Sequence, residues 1–179
     1  MKILLCNVSK KYETAAHDYV GLFYLAGALE AAGFEPLVFH GKAEGLLDEI
    51  ARHRPEAVGF SCDFDNVRII EDVSQKIKER WGIPVVVGGP QSIALGRTFL
   101  ESSGVDYILR GEGEISLPLL LNAVLKGEGE LDEVKGLAMI KDGVFRETRP
   151  EIIDDPDALP LPAYHTSLHS DRAYGNLIF

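Results

Sequence analysis

Two glycine-rich stretches carry the most chemical information in this sequence, and each follows a short apolar run. They are Gly88-Gly89-Pro90 and Arg110-Gly111-Glu112-Gly113-Glu114. Glycines at the end of a buried strand remove the Cβ atoms, so a bulky ligand can lie directly against the backbone. Pro90 suits the first turn of a helix, whose free amides could receive a phosphate. Two tight strand-to-helix turns are the alternative, but two neighbouring bare strand ends favour a slot.

Two aspartates follow another apolar run, in the stretch Ser61-Cys62-Asp63-Phe64-Asp65-Asn66. One of them could resemble the phosphoacceptor of a response-regulator receiver. That chemistry also needs an acidic pair after the first strand and a lysine after the fifth, where this sequence has Cys6-Asn7 and Arg110. Capping of the next helix by Asp63 and Asp65 is the favoured interpretation.

Other catalytic motifs do not fit. The stretch from Asn7 to Thr14 has no glycine, which excludes a dinucleotide-binding fingerprint after the first strand. Cys6 and Cys62 are expected to be small buried hydrophobic residues. His17 and His40 lie near the same predicted rim, but no histidine or cysteine spacing supports a zinc site.

The composition excludes several classes of partner. Lys and Arg number 18 against 28 Asp and Glu, which gives a formal net charge of -10. A surface this negative repels nucleic-acid backbones and anionic lipid. The apolar run Ile3–Cys6 is too short to span a bilayer, so no membrane insertion is expected. The two cysteines cannot build a disulfide scaffold, and a reduced, cytoplasmic setting is expected.

Five strand-and-helix units are predicted from hydrophobic periodicity. The predicted strands are Ile3–Cys6, Pro36–Phe39, Ala57–Ser61, Ile83–Val87 and Val105–Leu109. The predicted helices are Tyr19–Ala32, Ala43–His53, Val67–Trp81, Ser92–Ser102 and Ile115–Lys126. This alternation indicates an α/β fold with a doubly wound, five-stranded parallel sheet, flavodoxin-like or Rossmann-like. Ligands of such sheets bind at the carboxyl ends of the strands, where the glycine-rich stretches lie.

The remaining sequence differs in character. Leu137 to Lys141 and Val144 to Thr148 flank Asp142-Gly143, which predicts a hairpin with a type I′ turn. Four prolines then indicate an extended linker. We therefore expect an α/β domain over 1–130, a hairpin appendage over 131–150 and a linker over 151–179.

Together these segments resemble a known family. Similar stretches are Gly21–Glu30, Val58–Ser61, Val86–Pro90, Asp106–Glu114, the start of the hairpin at Gly136 and Leu159–Tyr164. They are similar to the N-terminal cobalamin-binding domain of cobalamin-dependent radical S-adenosylmethionine enzymes, such as methyltransferases and anaerobic oxidative cyclases. The resemblance implies that the domain holds the nucleotide tail of cobalamin between sheet and helices, with the corrin ring over the strand ends.

The resemblance also implies the site residues. Those expected to line the tail slot are Ser61, Gly88, Gly89, Pro90, Gly111, Glu112 and Gly113. The loop from Asn7 to Val20 is expected to approach the ring. The surroundings of His17 do not match the histidine-ligand motif of methionine-synthase-like domains, so no histidine ligand to cobalt is expected.

The C-x-x-x-C-x-x-C motif of the radical enzymes is missing. We therefore expect this chain to be the N-terminal part of a longer enzyme, connected to a catalytic domain that holds S-adenosylmethionine and a 4Fe-4S cluster. Alone, it is not expected to catalyse radical chemistry. The alternatives are a receiver-like signalling or interaction domain without cobalamin, and a fragment that binds nothing without its catalytic domain.

Overall fold

Strands and helices alternate in the computed structural model, which describes residues 1–9, 20–150, 153 and 155–168. The strands are β1 (Lys2–Val8), β2 (Glu35–Gly41), β3 (Ala57–Ser61), β4 (Val85–Gly88), β5 (Tyr107–Leu109), β6 (Leu137–Lys141) and β7 (Val144–Glu147). The helices are α1 (Val20–Ala31), α2 (Ala43–His53), α3 (Val67–Trp81), α4 (Arg97–Ser102) and α5 (Gly113–Leu121). Among the described residues, no helix is long and apolar enough to cross a membrane.

The strands form one sheet in the order β2-β1-β3-β4-β5-β6-β7. The first five are parallel, which confirms the flavodoxin-like, doubly wound prediction. The sheet has seven strands rather than the predicted five, because β6 pairs antiparallel with β5 and β7 with β6. The predicted hairpin is therefore continuous with the sheet. Its turn has positive φ at Asp142 (53°) and Gly143 (74°), as a type I′ turn requires.

Helices cover both faces of the sheet, and successive side chains of each strand enter opposite cores. In one core, Ile3 and Leu5 of β1 pack with residues of α1 and α5. In the other, Leu4 and Cys6 pack with residues of α2, α3 and α4. We call the first the α1/α5 face and the second the α2/α3 face.

The predicted helix Ser92–Ser102 is wrong as a single element. The structure divides it into a 3₁₀ turn over Pro90–Ala94 and the short helix α4. Gly96, between the two, has extended backbone angles (φ -149°), which interrupt any continuous helix. The last predicted helix begins two residues earlier than expected, at Gly113, and its final turn over Asn122–Lys126 is a π-turn.

Residues 160–168, here called the strap, fold back over α1. The Ala163 amide donates to the Phe23 carbonyl of α1 at 2.9 Å, and the ring of Tyr164 packs on the ring of Phe23. The Leu168 amide then donates to the Val38 carbonyl of β2 at 2.9 Å. The described part of the predicted linker is thus held against the domain. Residues 151, 152, 154 and 169–179 lie outside the described residues.

Candidate functional site

A cavity of about 240 Å³ lies on the α1/α5 face, at the carboxyl ends of the central strands. It is the place where the topology predicts a ligand, because α1 and α5 cover one side of the sheet there. Every residue predicted for the slot lines this cavity: Ser61, Gly88, Gly89, Pro90, Gly111, Glu112 and Gly113. Three strand ends, those of β3, β4 and β5, therefore converge on one opening.

The floor of the cavity is apolar. Its buried side chains come from three strands and two helices, and they are Leu5, Leu22, Val86, Leu109 and Leu117. The α1 residues Gly21, Leu22 and Leu25 were not predicted as site residues, although α1 itself was. The apolar spacing of α1 identifies a helix that packs on the sheet, but it does not tell which turn borders an opening.

Gly88 is the glycine that leaves the backbone bare toward the cavity. It ends β4 on the same face as Val86, two residues earlier, and a Cβ added there would meet only the Leu109 carbonyl oxygen, at 3.7 Å. That separation is an ordinary van der Waals contact, so the backbone accepts a side chain at this position. A ligand in the cavity can therefore contact the end of β4 directly.

Gly89 serves a different purpose. Its φ is +97°, and an added Cβ would lie 2.9 Å from the Cys62 carbonyl oxygen and 3.0 Å from the Cys62 nitrogen. The loops after β3 and β4 are joined by two hydrogen bonds, from the Cys62 amide to the Gly88 carbonyl at 2.7 Å and from the Gln91 amide to the Cys62 carbonyl at 3.1 Å. Gly89 thus permits the close approach of these two loops.

The same hydrogen bonds correct one expectation about Pro90. A helix beginning at Pro90 was expected to offer free amides to a phosphate. Instead, the Gln91 amide is bonded to Cys62 and the Ser92 amide to the Gly89 carbonyl at 3.0 Å. The first amides of the five-residue 3₁₀ turn are therefore already hydrogen-bonded within the protein, and the turn provides no phosphate site.

The start of α5 forms the far wall of the cavity. Gly111 has a φ of 85°, which turns the chain from β5 into the helix. A Cβ on Gly113 would lie 2.8 Å from a methyl carbon of Leu25, so this glycine lets α5 approach α1 closely. Gly111 thus sets the wall through its backbone conformation, and Gly113 through the close contact of the two helices.

Acidic side chains are the charged groups of the described lining. Burial raises the pKa of Glu114 above its ordinary value, and the nearby charge of Glu112 adds to the rise. Hydrogen bonds from the backbone amides of Glu114 and Gly113 partly offset this effect. The described lining has no lysine, arginine or histidine, so it offers no cationic side chain to a ligand's phosphate.

Asp63 organises the loop that carries Ser61. Its Oδ1 accepts hydrogen bonds from the amides of Asp65 (2.9 Å) and Asn66 (3.2 Å). Asn66 in turn accepts from the Asp63 amide at 2.9 Å and donates to the Ser61 carbonyl at 3.0 Å. The carboxylate of Asp63 is therefore engaged in the turn before α3. The predicted capping of α3 by Asp63 and Asp65 is wrong, because the residue at the N-cap is Asn66 and no side chain caps the helix.

Cysteine and histidine chemistry is not supported at this site. Cys6 and Cys62 are free and fully buried, and both pack into the α2/α3 face. Burial, with the neighbouring charge of Asp63, raises the pKa of Cys62 to about 12, so this thiol is protonated at neutral pH. Within the described ranges, no group of three His, Cys, Asp or Glu residues could hold a metal ion. His17, with most of the loop from Asn7 to Val20, lies outside those ranges.

Two exposed apolar side chains near the strand ends were not predicted. Phe64, on the loop after β3, is 85% exposed, and Ile93, on the loop after β4, is 73% exposed. Their position in sequence, just beyond the two strands, was visible, but their exposure depends on the path of the two joined loops.

Comparison with known proteins gives consistent matches in sequence. Residues 10–121 match the family described as the B12 binding domain. The chain is 29% identical to an uncharacterized methyltransferase, PH0819, of Pyrococcus horikoshii, over 92% of this chain and 38% of that protein. It is 27% identical to the cobalamin-dependent radical SAM methyltransferase TokK of Streptomyces tokunonensis, over 82% of this chain and 24% of TokK. The chain thus spans less than half the length of these relatives.

Solved structures share the fold. The cobalamin-dependent S-adenosylmethionine radical enzyme OxsB, with aqua-cobalamin and S-adenosylmethionine bound, superposes with a TM-score of 0.78 at 18% identity, over 90% of this chain and 24% of OxsB. The radical S-adenosylmethionine methyltransferase TsrM from Kitasatospora setae, with cobalamin and a [4Fe-4S] cluster bound, gives 0.69 at 22% identity, over 92% of this chain and 31% of TsrM.

Proposed function

Since the chain belongs to the B12-binding domain family, we propose that its cavity takes the nucleotide tail of cobalamin and leaves the corrin ring outside, over the strand ends. We assign the contacts with the tail to the cavity residues Ser61, Gly88, Gly89, Pro90, Gly111, Glu112 and Gly113. The observation that carries the proposal is an apolar cavity whose mouth is formed by bare backbone at the end of β4.

The residues present fit this part of the cofactor. Pockets that enclose a whole drug-sized ligand measure about 300–1,000 Å³. The cavity here measures about 240 Å³, which suits a flat aromatic base but is too small for a corrin. The buried floor offers apolar contact to such a base, and the Gly88 position lets it lie against backbone. The solvated mouth leaves the phosphate in water, away from the apolar floor.

These contacts indicate what the protein and the cofactor would each contribute. Cobalamin supplies methyl-transfer or radical chemistry when bound, and the protein supplies binding and orientation. The residues of this chain exclude water from the tail through the floor side chains. They also fix the cofactor's direction, because α1, α5 and the sheet close the other sides of the cavity.

We further propose that the longer protein to which this chain belongs is a cobalamin-dependent radical S-adenosylmethionine enzyme. The names of the relatives and the part of their length that the chain spans support this proposal. In it, residues 1–130 bind the cofactor, the hairpin 131–150 extends their sheet, and 151–179 connect to a catalytic domain of the same chain. That domain holds S-adenosylmethionine and the 4Fe-4S cluster. The free, buried cysteines support a cytoplasmic location.

Retention of hydroxocobalamin tests the proposed function. The 179-residue chain is mixed with hydroxocobalamin and desalted, and the visible absorbance of the protein fraction is recorded. We expect the colour to remain with the protein. In Gly88→Ala, the added methyl group projects into the cavity without a backbone clash. We expect it to weaken cobalamin binding by about tenfold or more, because it overpacks the bound tail.

Gly96→Ala is the matched control. A Cβ at Gly96 meets no atom within 4 Å, and its φ of -149° suits any residue, so binding should equal that of the parent chain. Equal retention by Gly88→Ala and Gly96→Ala would show that the tail does not occupy the cavity.

A further inference from the structure

Polar side chains are unevenly distributed around the cavity. Among the described lining residues, those that carry side-chain oxygen atoms are Ser61, Glu112 and Glu114, and all three lie at the partly exposed rim. The floor residues Leu5, Leu22, Val86, Leu109 and Leu117 are at most 5% exposed and carry only carbon in their side chains. A group that reaches the floor therefore meets no hydrogen-bonding side chain.

The backbone amide and carbonyl groups of the floor strands are also already hydrogen-bonded within the sheet. Leu5 of β1 is paired with Gly59 of β3, and Gly59 with Val86 of β4, in continuous parallel ladders. Val86 is paired in turn with Tyr107 of β5. In such ladders the amide and carbonyl groups bond to the neighbouring strands, so these residues have little capacity left for a ligand.

We propose that this cavity discriminates among cobamides by the base of the nucleotide tail, accepting dimethylbenzimidazole and disfavouring adenine. The inference rests on the proposed function, because it requires the base to enter the cavity. It goes further in naming the class of cobamide that the site takes.

The discrimination follows from the cost of unpaired polar groups. The edge of dimethylbenzimidazole that enters first carries two methyl groups, which suit an apolar floor. Adenine instead carries an exocyclic amine and additional ring nitrogens, which lose their bonds to water on entry. Each buried polar group left without a partner weakens binding by roughly tenfold or more. A floor whose described side chains offer no acceptor should therefore disfavour the purine.

Val86→Thr is the variant that tests the cause. Threonine has nearly the shape of valine, so the cavity keeps its size while its floor gains one hydroxyl group that can pair with the purine amine. Val87→Thr is the matched control, because Val87 is adjacent on β4 but is fully buried in the α2/α3 face. Both variants add one hydroxyl to β4, but only Val86→Thr places it at the cavity.

Affinities are measured by equilibrium dialysis of the parent chain and both variants, with visible absorbance as the readout. The ligands are hydroxocobalamin, the corresponding adenine-bearing cobamide, and cobinamide, which lacks the nucleotide. We expect the parent chain and Val87→Thr to prefer hydroxocobalamin by about tenfold or more. Val86→Thr should reduce that preference at least severalfold. If the base of the free ligand is coordinated to cobalt, releasing it costs free energy. That cost is the same whichever protein variant binds the ligand, so it cancels when a variant is compared with the parent chain.

The outcomes separate the two proposals. If Val86→Thr leaves the ratio of the two affinities as it is in the parent chain and in Val87→Thr, base discrimination by the floor is wrong while tail binding stands. If cobinamide binds as tightly as hydroxocobalamin, the tail is not held in the cavity, and the proposed function fails together with this inference.

Discussion

The two faces of the sheet differ in how their helices meet the strand ends. On the α2/α3 face, β2 is joined to α2 by the single residue Lys42, and Val87 of β4 is fully buried in a continuous core. On the α1/α5 face, residues 9–19 separate β1 from α1, and Val86 lines a cavity. Adjacent residues of one strand thus serve packing on one side and an opening on the other.

The opening is therefore a property of the helices and turns rather than of the sheet. Strands β1, β3 and β4 present apolar side chains to both faces. Room remains on the α1/α5 face because Gly88 brings no side chain there. The same pairing of strands can therefore support a filled core and a binding cavity, depending on a few positions at its edge.

Enlarging the two neighbouring valines of β4 should have the largest effects, and different ones on the two faces. Val86→Phe places a ring in the cavity, and we expect cobalamin affinity to fall by roughly 100-fold with a modest loss of stability. Val87→Phe forces the same ring into a filled core and should lower the free energy of unfolding by about 1–3 kcal/mol, while the folded fraction still binds cobalamin. Urea denaturation and absorbance titration measure the two effects.

The two variants should therefore have opposite main effects: Val86→Phe mainly lowers the affinity for cobalamin, and Val87→Phe mainly lowers the stability. If Val86→Phe unfolds the chain as readily as Val87→Phe, the α1/α5 face is as tightly filled as the other one. If Val87→Phe lowers affinity as strongly as Val86→Phe, the two faces are not independent.

Two glycines with positive φ, Gly82 and Gly89, allow a loop on each side of this contrast to be tested. Alanine at Gly82, after α3, has a φ of +64° and no atom within 4 Å of its Cβ, so it carries the backbone strain alone, about 1–2 kcal/mol. Alanine at Gly89 adds close contacts with the backbone of Cys62. We expect Gly89→Ala to destabilise the chain by about 1–2 kcal/mol more and to weaken cobalamin binding. Thermal unfolding and dialysis compare them, and equal losses of stability would contradict the role assigned to Gly89.

The smallest expected effect concerns Glu114 at the rim. Because its pKa is raised above 4.5 in the folded state, the folded chain retains this proton to a higher pH than the unfolded chain does. Stability therefore falls as the pH rises from the ordinary value through the folded-state value, and the cost persists above it. Glu114→Gln removes the charge, so its advantage over the parent chain should be absent at low pH and appear by neutral pH.

Melting temperatures recorded between pH 4 and pH 8 test this expectation. Glu79→Gln, at an exposed position of α3 outside the cavity, is the matched substitution for comparison. An advantage of Glu114→Gln that is the same at every pH would contradict the burial of this carboxyl group.

The strands and the first three helices were predictable because their signals are local. The bounds of α2, α3 and β3 agree with prediction. Amphipathic spacing marks the two helices, and Gly82 marks the end of α3. The division of the next helix depended on the extended backbone at Gly96, which composition does not reveal. The pairing of β6 with β5 depended on a long-range register, from Tyr107 with Met139 to Leu109 with Leu137.

The mouth of the cavity was predictable, whereas its floor was not. Strand ends converge in any parallel sheet, so glycines after β4 and β5 had to lie near each other. The floor required knowledge of how α1 crosses the sheet, which places Leu22 and Leu25 at the opening. The individual glycines also differed: Gly88 leaves bare backbone, while Gly89 and Gly113 permit close approach within the protein.

The strap has a consequence for self-association. The outer edge of β2 would otherwise present unpaired carbonyl and amide groups, a template on which a second molecule could add a strand. Ser167 forms a bridge with Val38, and the Leu168 amide occupies the Val38 carbonyl, so part of this edge is already covered. At the opposite edge, β7 is only four residues long and carries Arg146 and Glu147. Both borders of the sheet thus discourage the edge-to-edge stacking that leads to fibrils.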